Sequence, residues 1–314
     1  MKYKVCSLFS GIGGIDLGFK QAGFEIVWAN EIDKSACETY KANFGGEHLV
    51  NCDIRKVDTK DIPDFDVLVA GFPCQPFSVA GKQEGFSDPR GKLFFQIERI
   101  VKDKKPKVIF LENVKNIIDH DGGRTFNKIF ASLAQFGYCV RYEIMNPLDY
   151  ADIPQNRERV YIIAFLDEYK GNNFTFPLKK ELTQSFLDII NIHEKKHQYY
   201  YLNNDVNFIK LKSSIKDNLR LYQIFNNKIR ASKQNLCPTL TASMSRNRYY
   251  IPIIKDDYSI RNLTPSECLL MQGFPCSFKF SNKISINDAY KQVGNSVCVP
   301  IIYALAENIK IILK

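Results

Sequence analysis

Apolar and polar positions alternate along the first half of the chain in a pattern that predicts strands separated by helices. Apolar runs of strand length occupy residues 3–9, 25–30, 67–70, 108–111, 138–144 and 160–165. Segments with apolar residues at helical spacing occupy 13–22, 35–43, 93–101 and 125–136. Because strands that alternate with helices form βαβ units, the pattern predicts an α/β fold with a doubly wound, mostly parallel sheet.

The pattern changes after Pro177. Residues 180–255 are richer in Asn, Lys and Tyr, and the alternation of strands and helices fades. Strong signals return from residue 262, and residues 299–313 predict a terminal helix with Pro300 near its start. This shift marks a candidate second domain.

The positive charge of the chain is concentrated in the second half. Residues 195–255 contain twelve Lys or Arg against two acids, a net charge of +10, whereas the whole chain carries +9. A basic segment beside a near-neutral remainder is typical of a polyanion-binding module attached to an enzyme core. A basic face that is merely solvated is the alternative, and charge alone does not separate the two.

Cysteine spacing and hydropathy narrow the class of protein. None of the nine cysteines forms a C-x-x-C pair and no histidine cluster accompanies them, so we expect no metal site. Dispersed cysteines without a signal peptide indicate reduced thiols. No apolar run approaches the roughly 20 residues needed to cross a bilayer, and the first residues lead directly into a predicted strand. We therefore expect a cytoplasmic protein with no membrane partner.

A glycine-rich turn follows the first predicted strand. Gly11 and Gly13 would let the backbone approach a ligand at the start of the next helix. Glu31 comes 20 residues after Gly11, where an open α/β sheet places an acid that binds a ribose. An NAD-binding fingerprint would have its third glycine at Asp16, so a different nucleoside cofactor fits better. Asp53 would meet the adenine amino group, and glycines serving only a tight turn are the alternative.

A cysteine flanked by prolines follows the strand predicted at 67–70. Pro73 and Pro76 stiffen the loop around Cys74 at the carboxyl edge of the sheet, where ligands bind in this architecture. The polar neighbours Gln75 and Ser78 favour a presented thiol. A free cysteine ordinarily packs as a core residue, so the functional hypothesis needs a partner group.

Glu112 is the candidate partner. It follows the strand predicted at 108–111, and parallel strands bring their carboxyl ends together, so Glu112 and Cys74 are expected to share a cleft. A carboxylate at a strand end that serves as a cap or an ion-pair partner is the alternative. Arg157 and Arg159, two residues apart before another strand, are expected to point the same way.

Taken in order, these motifs make the chain resemble the bacterial DNA (cytosine-5)-methyltransferases of restriction–modification type. The matching motifs are Phe9-Ser10-Gly11-Ile12-Gly13-Gly14, Glu31, Asp53-Ile54, Gly71-Phe72-Pro73-Cys74-Gln75-Pro76-Phe77-Ser78, Arg90-Gly91-Lys92-Leu93-Phe94, Glu112-Asn113-Val114, Gln155-Asn156-Arg157-Glu158-Arg159-Val160, Arg261-Asn262-Leu263-Thr264-Pro265-Ser266-Glu267-Cys268 and Gln292-Val293-Gly294-Asn295-Ser296-Val297. The resemblance covers about residues 3–165 and 260–314. It implies a Rossmann-like fold that uses S-adenosylmethionine and releases S-adenosylhomocysteine.

The resemblance also implies the roles of the catalytic residues. The Cys74 thiolate adds to cytosine C6 and makes C5 a nucleophile, which is covalent catalysis. Glu112 binds the N3/N4 edge of the base, Arg159 holds O2, and Arg157 steadies Glu112 and the flipping loop. The base must leave the duplex stack to reach these groups.

DNA contacts are expected from two parts of the chain. Gln75 and Ser78 lie in the loop that this family closes over the flipped nucleotide. Thr239 belongs to a Thr-Leu pair that touches DNA near that base in the family. Arg246 and Arg248 are candidates for groove contacts, because arginine reads guanine bidentately; a phosphate contact is the alternative.

Cofactor contacts, by the same resemblance, come from both ends of the chain. Phe9 would stack on the adenine, Glu31 would bind the ribose, and the Asn295 segment would return to the methionine moiety. The full set of expected contacts is Phe9, Gly11, Gly13, Glu31, Ile32, Asp53, Ile54, Pro73, Leu93, Asn295 and Ser296.

The second domain is then an insertion. We expect a catalytic, cofactor-binding domain of residues 1–174 and 284–314, and a small target-recognition domain of residues 175–283 whose variable part is about 180–255. The expected partner is double-stranded DNA, bound by a monomer located at the nucleoid. A cognate restriction endonuclease acting on the same site would form no stable complex with it.

Three other functions compete with this hypothesis. A tRNA cytosine-C5 methyltransferase of the same family is disfavoured because that branch usually lacks a large basic insert. A nicotinamide-dependent oxidoreductase is disfavoured by Asp16 and the Pro73-Cys74 loop, and absence of NAD binding would exclude it. A DNA-binding module without activity is disfavoured because Cys74, Glu112 and Arg159 are all present.

Overall fold

The computed structural model describes residues 2–73 and 93–314, which divide into two compact units. Unit 1 comprises Met1–Met145, Glu158–Leu178 and Val299–Lys314, and unit 2 comprises Asn146–Arg157 and Lys179–Cys298. Residues 175–178 fall in unit 1 rather than in the small domain; beyond that, the division differs from the expected boundaries at two places, because residues 146–157 and 284–298 belong to unit 2.

Contacts within unit 2 explain both differences. Gln155 forms a β-bridge with Cys237, and its side-chain amide donates to the carbonyl of Met271 over 2.7 Å. Gly294 packs so closely against Thr241 that a Cβ atom on it would overlap the Thr241 backbone. Both contacts join residues far apart in sequence, so local patterns do not reveal them.

The strands form one sheet in each unit. Within the described residues they are β1 Lys4–Leu8, β2 Glu25–Asn30, β3 Leu49–Val50, β4 Val67–Ala70, β5 Val108–Val114, β6 Cys139–Met145, β7 Arg159–Phe165, β8 Tyr222–Phe225, β9 Lys228–Ala231, β10 Ile253–Lys255 and β11 Ile260–Asn262. The sheet of unit 1 has the order β3-β2-β1-β4-β5-β7-β6. Neighbouring strands from β3 to β5 are parallel, and β7 runs antiparallel to β5 and β6. The predicted α/β, mostly parallel sheet is confirmed.

Helices connect these strands. Within the described residues the α-helices are α1 Gly14–Gln21, α2 Lys34–Phe44, α3 Phe94–Lys104, α4 Arg124–Gln135, α5 Pro147–Tyr150, α6 Glu168–Asn173, α7 Phe186–Ile189, α8 Phe208–Ser214, α9 Pro265–Leu270, α10 Ile286–Asn295 and α11 Val299–Leu313. The predicted helices at 13–22, 35–43, 93–101 and 125–136 correspond to α1 to α4, with ends shifted by up to three residues.

The core of unit 1 lies against the sheet. Strands β4 and β5 supply fully buried apolar side chains, as expected for strands covered on both faces. Helix α11 packs on α1, where Gly18 permits the close approach: a Cβ atom there would lie 2.6 Å from Cγ2 of Ile302. Helix α11 and strand β1 therefore contribute to the same core.

Unit 2 contains a four-stranded antiparallel sheet of order β11-β10-β8-β9. The motif that begins at Arg261 has a structural role here. Arg261 is fully buried and its guanidinium binds Glu267 at 2.8 and 2.9 Å and Asp256 at 2.7 Å. Thr264 and Glu267 form a reciprocal capping box that starts α9.

Within residues 2–73 and 93–314, no single helix is both long enough and apolar enough to cross a bilayer. The consecutive helices α10 and α11 meet those criteria of length and composition together, as a bent pair.

Candidate active site

The order of strands in unit 1 places the glycine turn and the chain before Cys74 side by side. From β1 the chain proceeds to β2 and β3 on one side, whereas β4 and β5 lie on the other. Such a switch point opens a crevice at the carboxyl ends of the two central strands. The turn at Gly11 follows β1, and Gly71 follows β4.

The two glycines of the turn have different physical reasons to be glycine. Both have positive φ, +56° for Gly11 and +87° for Gly13. A Cβ atom on Gly13 would overlap the ring of Phe44, so this glycine serves packing. A Cβ atom on Gly11 would meet no atom within 4 Å among the described residues, so the space beside its backbone is open.

Glu31 is fixed in place by two backbone donors. Its Oε2 accepts the Gly11 N–H over 2.9 Å, and its Oε1 accepts the Asp33 N–H over 2.8 Å. Burial raises the pKa of Glu31, although these bonds act to lower it. A backbone hydrogen bond from Ile32 also acts to lower the pKa. A carboxylate has about four acceptor positions, so capacity remains for a further donor. The next residue, Ile32, presents an apolar side chain that is 61% exposed.

A buried hydrogen-bond network around Asp16 connects the elements next to the glycine turn. Asp16 is fully buried and accepts from the Ser7 hydroxyl at 2.5 Å and from the Tyr40 hydroxyl at 2.6 Å. The Tyr40 hydroxyl also lies 3.0 Å from Nε2 of His48. Burial raises the pKa of Asp16 to about 6, despite the lowering effect of the Ser7 and Tyr40 hydrogen bonds. Asp16 therefore joins α1 to β1 and α2.

The remaining expected cofactor contacts of unit 1 have mixed surroundings. Asp53 is engaged by Arg55, whose Nε donates to both carboxylate oxygens at 3.0 Å, and this bond lowers the Asp53 pKa. The side chain of Ile54 is buried in the core. Phe9 and Leu93 are half-buried against that core, and Pro73 is also half-buried.

Glu112 and Arg159 form an ion pair at the edge of the sheet. The distance from Arg159 Nε to Glu112 Oε1 is 3.2 Å, and both side chains are largely buried. Glu112 lies within β5, whereas the sequence pattern had indicated that it follows the strand. Val114 of β5 pairs with Arg159 of β7. Glu112, two residues before Val114, is therefore the diagonal neighbour of Arg159 on the same face of the sheet.

The chain leading towards Cys74 passes this carboxylate. A Cβ atom on Gly71 would lie 3.7 Å from Glu112 Oε2. The Asn113 side-chain amide donates to the Phe72 carbonyl over 3.2 Å. Cys74, Gln75 and Ser78 lie outside the described residues.

The described contacts of Arg157 and Arg159 are different, although their spacing predicts side chains that point the same way. Strand β7 begins at Arg159, so Arg157 is not part of a strand. Arg157 is buried in unit 2, where Nη1 donates to the Leu240 carbonyl at 2.6 Å and Nη2 to the Ser296 carbonyl at 2.5 Å. Nη2 also donates to the Gly294 carbonyl over 3.3 Å. In the described structure Arg157 therefore clamps two segments of unit 2.

One of these segments contains the expected cofactor residues Asn295 and Ser296. Asn295 ends α10 and is exposed, whereas Ser296 is buried. Among residues 2–73 and 93–314 the Ser296 hydroxyl oxygen has no hydrogen-bond partner. Such an orphaned buried group is suited to a polar ligand.

The other segment contains the expected DNA contact Thr239. Its hydroxyl donates to the Asn156 carbonyl over 2.6 Å, which ties it to the motif that carries Arg157. Arg246 is exposed. Arg248 is exposed as well, and its Nη2 lies 3.5 Å from the Tyr199 carbonyl and 3.4 Å from the Tyr201 carbonyl.

Similarity to known proteins settles the class to which this site belongs. Residues 3–311 match the family model of C-5 cytosine-specific DNA methylases. The chain belongs to that family. It is therefore a DNA (cytosine-5)-methyltransferase, and membership implies S-adenosylmethionine as the methyl donor.

Relatives of this methyltransferase span its whole length. It is 46% identical to the type II methyltransferase M.Bsp6I of Bacillus sp. (strain RFL6), over 98% of each chain. It is 37% identical to the type II methyltransferase M.HhaI of Haemophilus parahaemolyticus, over 96% of this chain and 92% of the relative.

Solved structures show the same fold at lower identity. The methyltransferase EhMeth of Entamoeba histolytica has a TM-score of 0.76 at 23% identity, over 100% of this chain and 99% of that one. The Dnmt2 methyltransferase of S. pombe has a TM-score of 0.72 at 22% identity, over 99% and 98%.

Sequence reasoning missed two structural features. Asn113 was seen as part of a motif, but its bond to Phe72 is a contact between neighbouring strand ends that spacing does not reveal. The β8–β9 hairpin was also missed, although Gln223 and Phe225 alternate with Tyr222 and Ile224 before an Asn-Asn turn, which is a hairpin signal.

Proposed function

We propose that this enzyme transfers a methyl group from S-adenosylmethionine to C5 of a cytosine in a specific short sequence of duplex DNA. The observation that carries the proposal is the Glu112–Arg159 pair beside the backbone at Gly71, three residues before Cys74. A carboxyl group and a guanidinium together match the N3/N4 edge and the O2 atom of cytosine. The family supplies the reaction, and this pair indicates where the base would bind.

The proposed chemistry begins with Cys74. Its thiolate forms a bond to C6 while the protonated Glu112 carboxyl donates its proton to N3 and the Arg159 guanidinium donates hydrogen bonds to O2; the N3 proton returns to Glu112 when the ring is restored. C5 then takes the methyl group, the C5 proton leaves to a base, and the S–C6 bond breaks to restore the aromatic ring. The Glu112–Arg159 pair would keep both side chains oriented before the base arrives.

The residues of the glycine turn fit the cofactor. The open space beside Gly11 admits a ligand, the remaining acceptor capacity of Glu31 suits a ribose hydroxyl, and exposed Ile32 suits an apolar ring face. Phe9, Asp53 and the other expected contacts would complete this site. When bound, S-adenosylmethionine supplies an electrophilic methyl group on a sulfonium.

Unit 2 would hold the DNA. A target cytosine must be flipped out of the stack, at a cost of a few kcal/mol that protein–DNA contacts offset. The net charge of +10 on residues 195–255 would supply phosphate contacts whose strength falls with salt. Thr239, Gln75 and Ser78 are proposed to contact the target strand.

We further propose a physiological role and assembly. The relatives named as type II methyltransferases favour protection of host DNA in a restriction–modification system, by a monomer that acts on the same site as a separate endonuclease. Transfer to tRNA is the competing function.

The proposal is tested by base-resolved 5-methylcytosine sequencing of DNA from a methylation-free host that expresses the chain, beside Cys74→Ala. We expect one short motif to be methylated with the wild type and to be unmethylated with Cys74→Ala, which should still bind duplex DNA. Methylation that persists with Cys74→Ala would remove the nucleophile assignment. Unmarked DNA from a soluble wild-type enzyme, with methyl transfer to tRNA in vitro, would replace DNA by RNA as the substrate.

A further inference from the structure

The β8–β9 hairpin is a two-stranded ribbon that extends from the sheet of unit 2. The strands pair from Tyr222–Ala231 to Phe225–Lys228, and the pairing of β8 with β10 is the single pair Tyr222–Ile253. The turn is Asn226-Asn227, and both asparagines have the positive φ of a type I′ turn. The major groove of B-DNA admits a ribbon of two strands.

The two faces of the ribbon differ in character. Ile224 and Ile229 lie opposite each other and face the core that contains Leu202 and Leu211. Gln223 and Arg230 form the next pair, on the other face, together with the pair Phe225–Lys228. Lys228 and Arg230 are exposed. The outer face therefore offers cationic and aromatic side chains to the solvent.

Arg230 is held in position by an aromatic stack. Its guanidinium carbon lies 5.2 Å from the centre of the Phe225 ring. Phe225 in turn stacks on Tyr250 with ring centres 4.9 Å apart and planes 16° apart. The Gln223 amide donates to the Tyr250 carbonyl, which fixes Tyr250 to the ribbon. Stacking leaves the rim of a guanidinium, with its N–H donors, free to bind in the ring plane.

Arg220 and Arg248 of the basic segment differ from Arg230, because backbone carbonyls engage their guanidinium groups. Arg220 donates to the Ser232 carbonyl over 2.8 Å, and Arg248 lies against two backbone carbonyls. For Arg230, no hydrogen bond or ion pair with another part of residues 2–73 or 93–314 occupies the guanidinium. It thus combines a contact with the Phe225 ring and available donors.

We infer that Arg230, held by Phe225 and Tyr250, reads a guanine of the recognition sequence in the major groove. The inference rests on the proposed function and adds a specificity-determining residue to it. A planar fork with parallel donors matches the O6 and N7 acceptors of guanine. A duplex site with a target cytosine always contains a guanine on the partner strand, so such an acceptor pair is always present.

The test compares Arg230→Lys, Arg230→Gln and the matched control Lys228→Gln, which removes one charge from the same face. Once the methylated motif is known, kcat/KM is measured on duplexes in which 7-deazaguanine replaces each guanine in turn. The analogue lacks the N7 acceptor. We expect one position at which the wild type and Lys228→Gln lose about tenfold or more, whereas Arg230→Lys and Arg230→Gln are already slow and show no further loss.

Two results would overturn the inference. Arg230→Gln that still loses about tenfold at that position, like the wild type, would mean that another group reads the N7 and that Arg230 supplies only charge, as at a phosphate. Arg230→Gln that weakens all sequences equally and lowers the salt slope by about one would mean the same. Failure of the wild type to methylate any duplex would instead overturn the proposed function, and this inference with it.

Discussion

The buried carboxyl of Asp16 provides a quantitative test of the electrostatics beneath the glycine turn. Burial raises its pKa from 3.8 to about 6, and each pH unit of such a difference corresponds to about 1.4 kcal/mol. Ionised Asp16 therefore costs the folded protein about 3 kcal/mol at neutral pH. The associated stability is fully present below about pH 4 and is lost as the pH rises through 6.

Asp16→Asn should recover that free energy. The Asn oxygen can accept from Ser7, and its amide can donate to the Tyr40 hydroxyl, which then donates to His48. We expect the variant to be more stable than the wild type by about 3 kcal/mol at pH 8. The advantage should shrink between pH 6 and 4 and vanish below that range.

Urea unfolding at several pH values measures the difference. Trp28 is the single tryptophan of the chain and is buried in unit 1, so its fluorescence reports on the unit that contains Asp16. An Asp16→Asn protein that is no more stable than the wild type at pH 8 would refute the reasoning.

Asp66→Asn is the control with the opposite sign. Partial burial acts to raise the pKa of Asp66, but hydrogen bonds from the Lys107 ammonium and the Lys4 N–H outweigh it and lower the pKa. The wild type should therefore be more stable than Asp66→Asn at pH 8. That difference should disappear as the pH falls through the lowered pKa of the folded state.

Two further substitutions test the site and the packing of unit 2. Glu112→Gln should lower kcat about 100-fold or more, because the variant loses a group that stabilises developing charge, while cofactor affinity stays within about twofold. Steady-state kinetics measures kcat and equilibrium binding measures the affinity. An unchanged kcat would remove Glu112 from the mechanism. Gly294→Ala should destabilise the protein by about 1–3 kcal/mol because the added methyl group overlaps the Thr241 backbone. The control Gly46→Ala should be near neutral, because its methyl group meets only the flexible Lys41 side chain. Equal thermal midpoints for the two variants would contradict the close approach of Gly294 to Thr241.

The sequence predicted the sheet well because its strands are continuous apolar runs. Buried parallel strands need apolar residues on both faces, and β4 has them throughout. The prediction for β5 stopped at Leu111 because Glu112 and Asn113 are polar, yet the backbone pairing continues to Val114. A carboxylate and an amide here interrupt the apolar pattern without ending the strand.

The order of the motifs was sufficient for the family but not for every role within it. Arg159 lies beside Glu112, whereas the guanidinium of Arg157 is bound by backbone carbonyls of unit 2, which the spacing of the two arginines does not indicate. Arg157 precedes the strand, and its contacts are with carbonyls more than 80 residues away. Distant backbone acceptors leave no local signal in a sequence.

The two-faced ribbon of unit 2 has a consequence for how this enzyme can change over evolutionary time. Ile224 and Ile229 are constrained by the core, whereas Gln223, Phe225, Lys228 and Arg230 lie on the opposite face. Mutations at Lys228 and Arg230 leave the packing of Ile224 and Ile229 intact, and β8 joins β10 through a single strand pair at Tyr222. Lineages can therefore diversify the outer face independently of the fold.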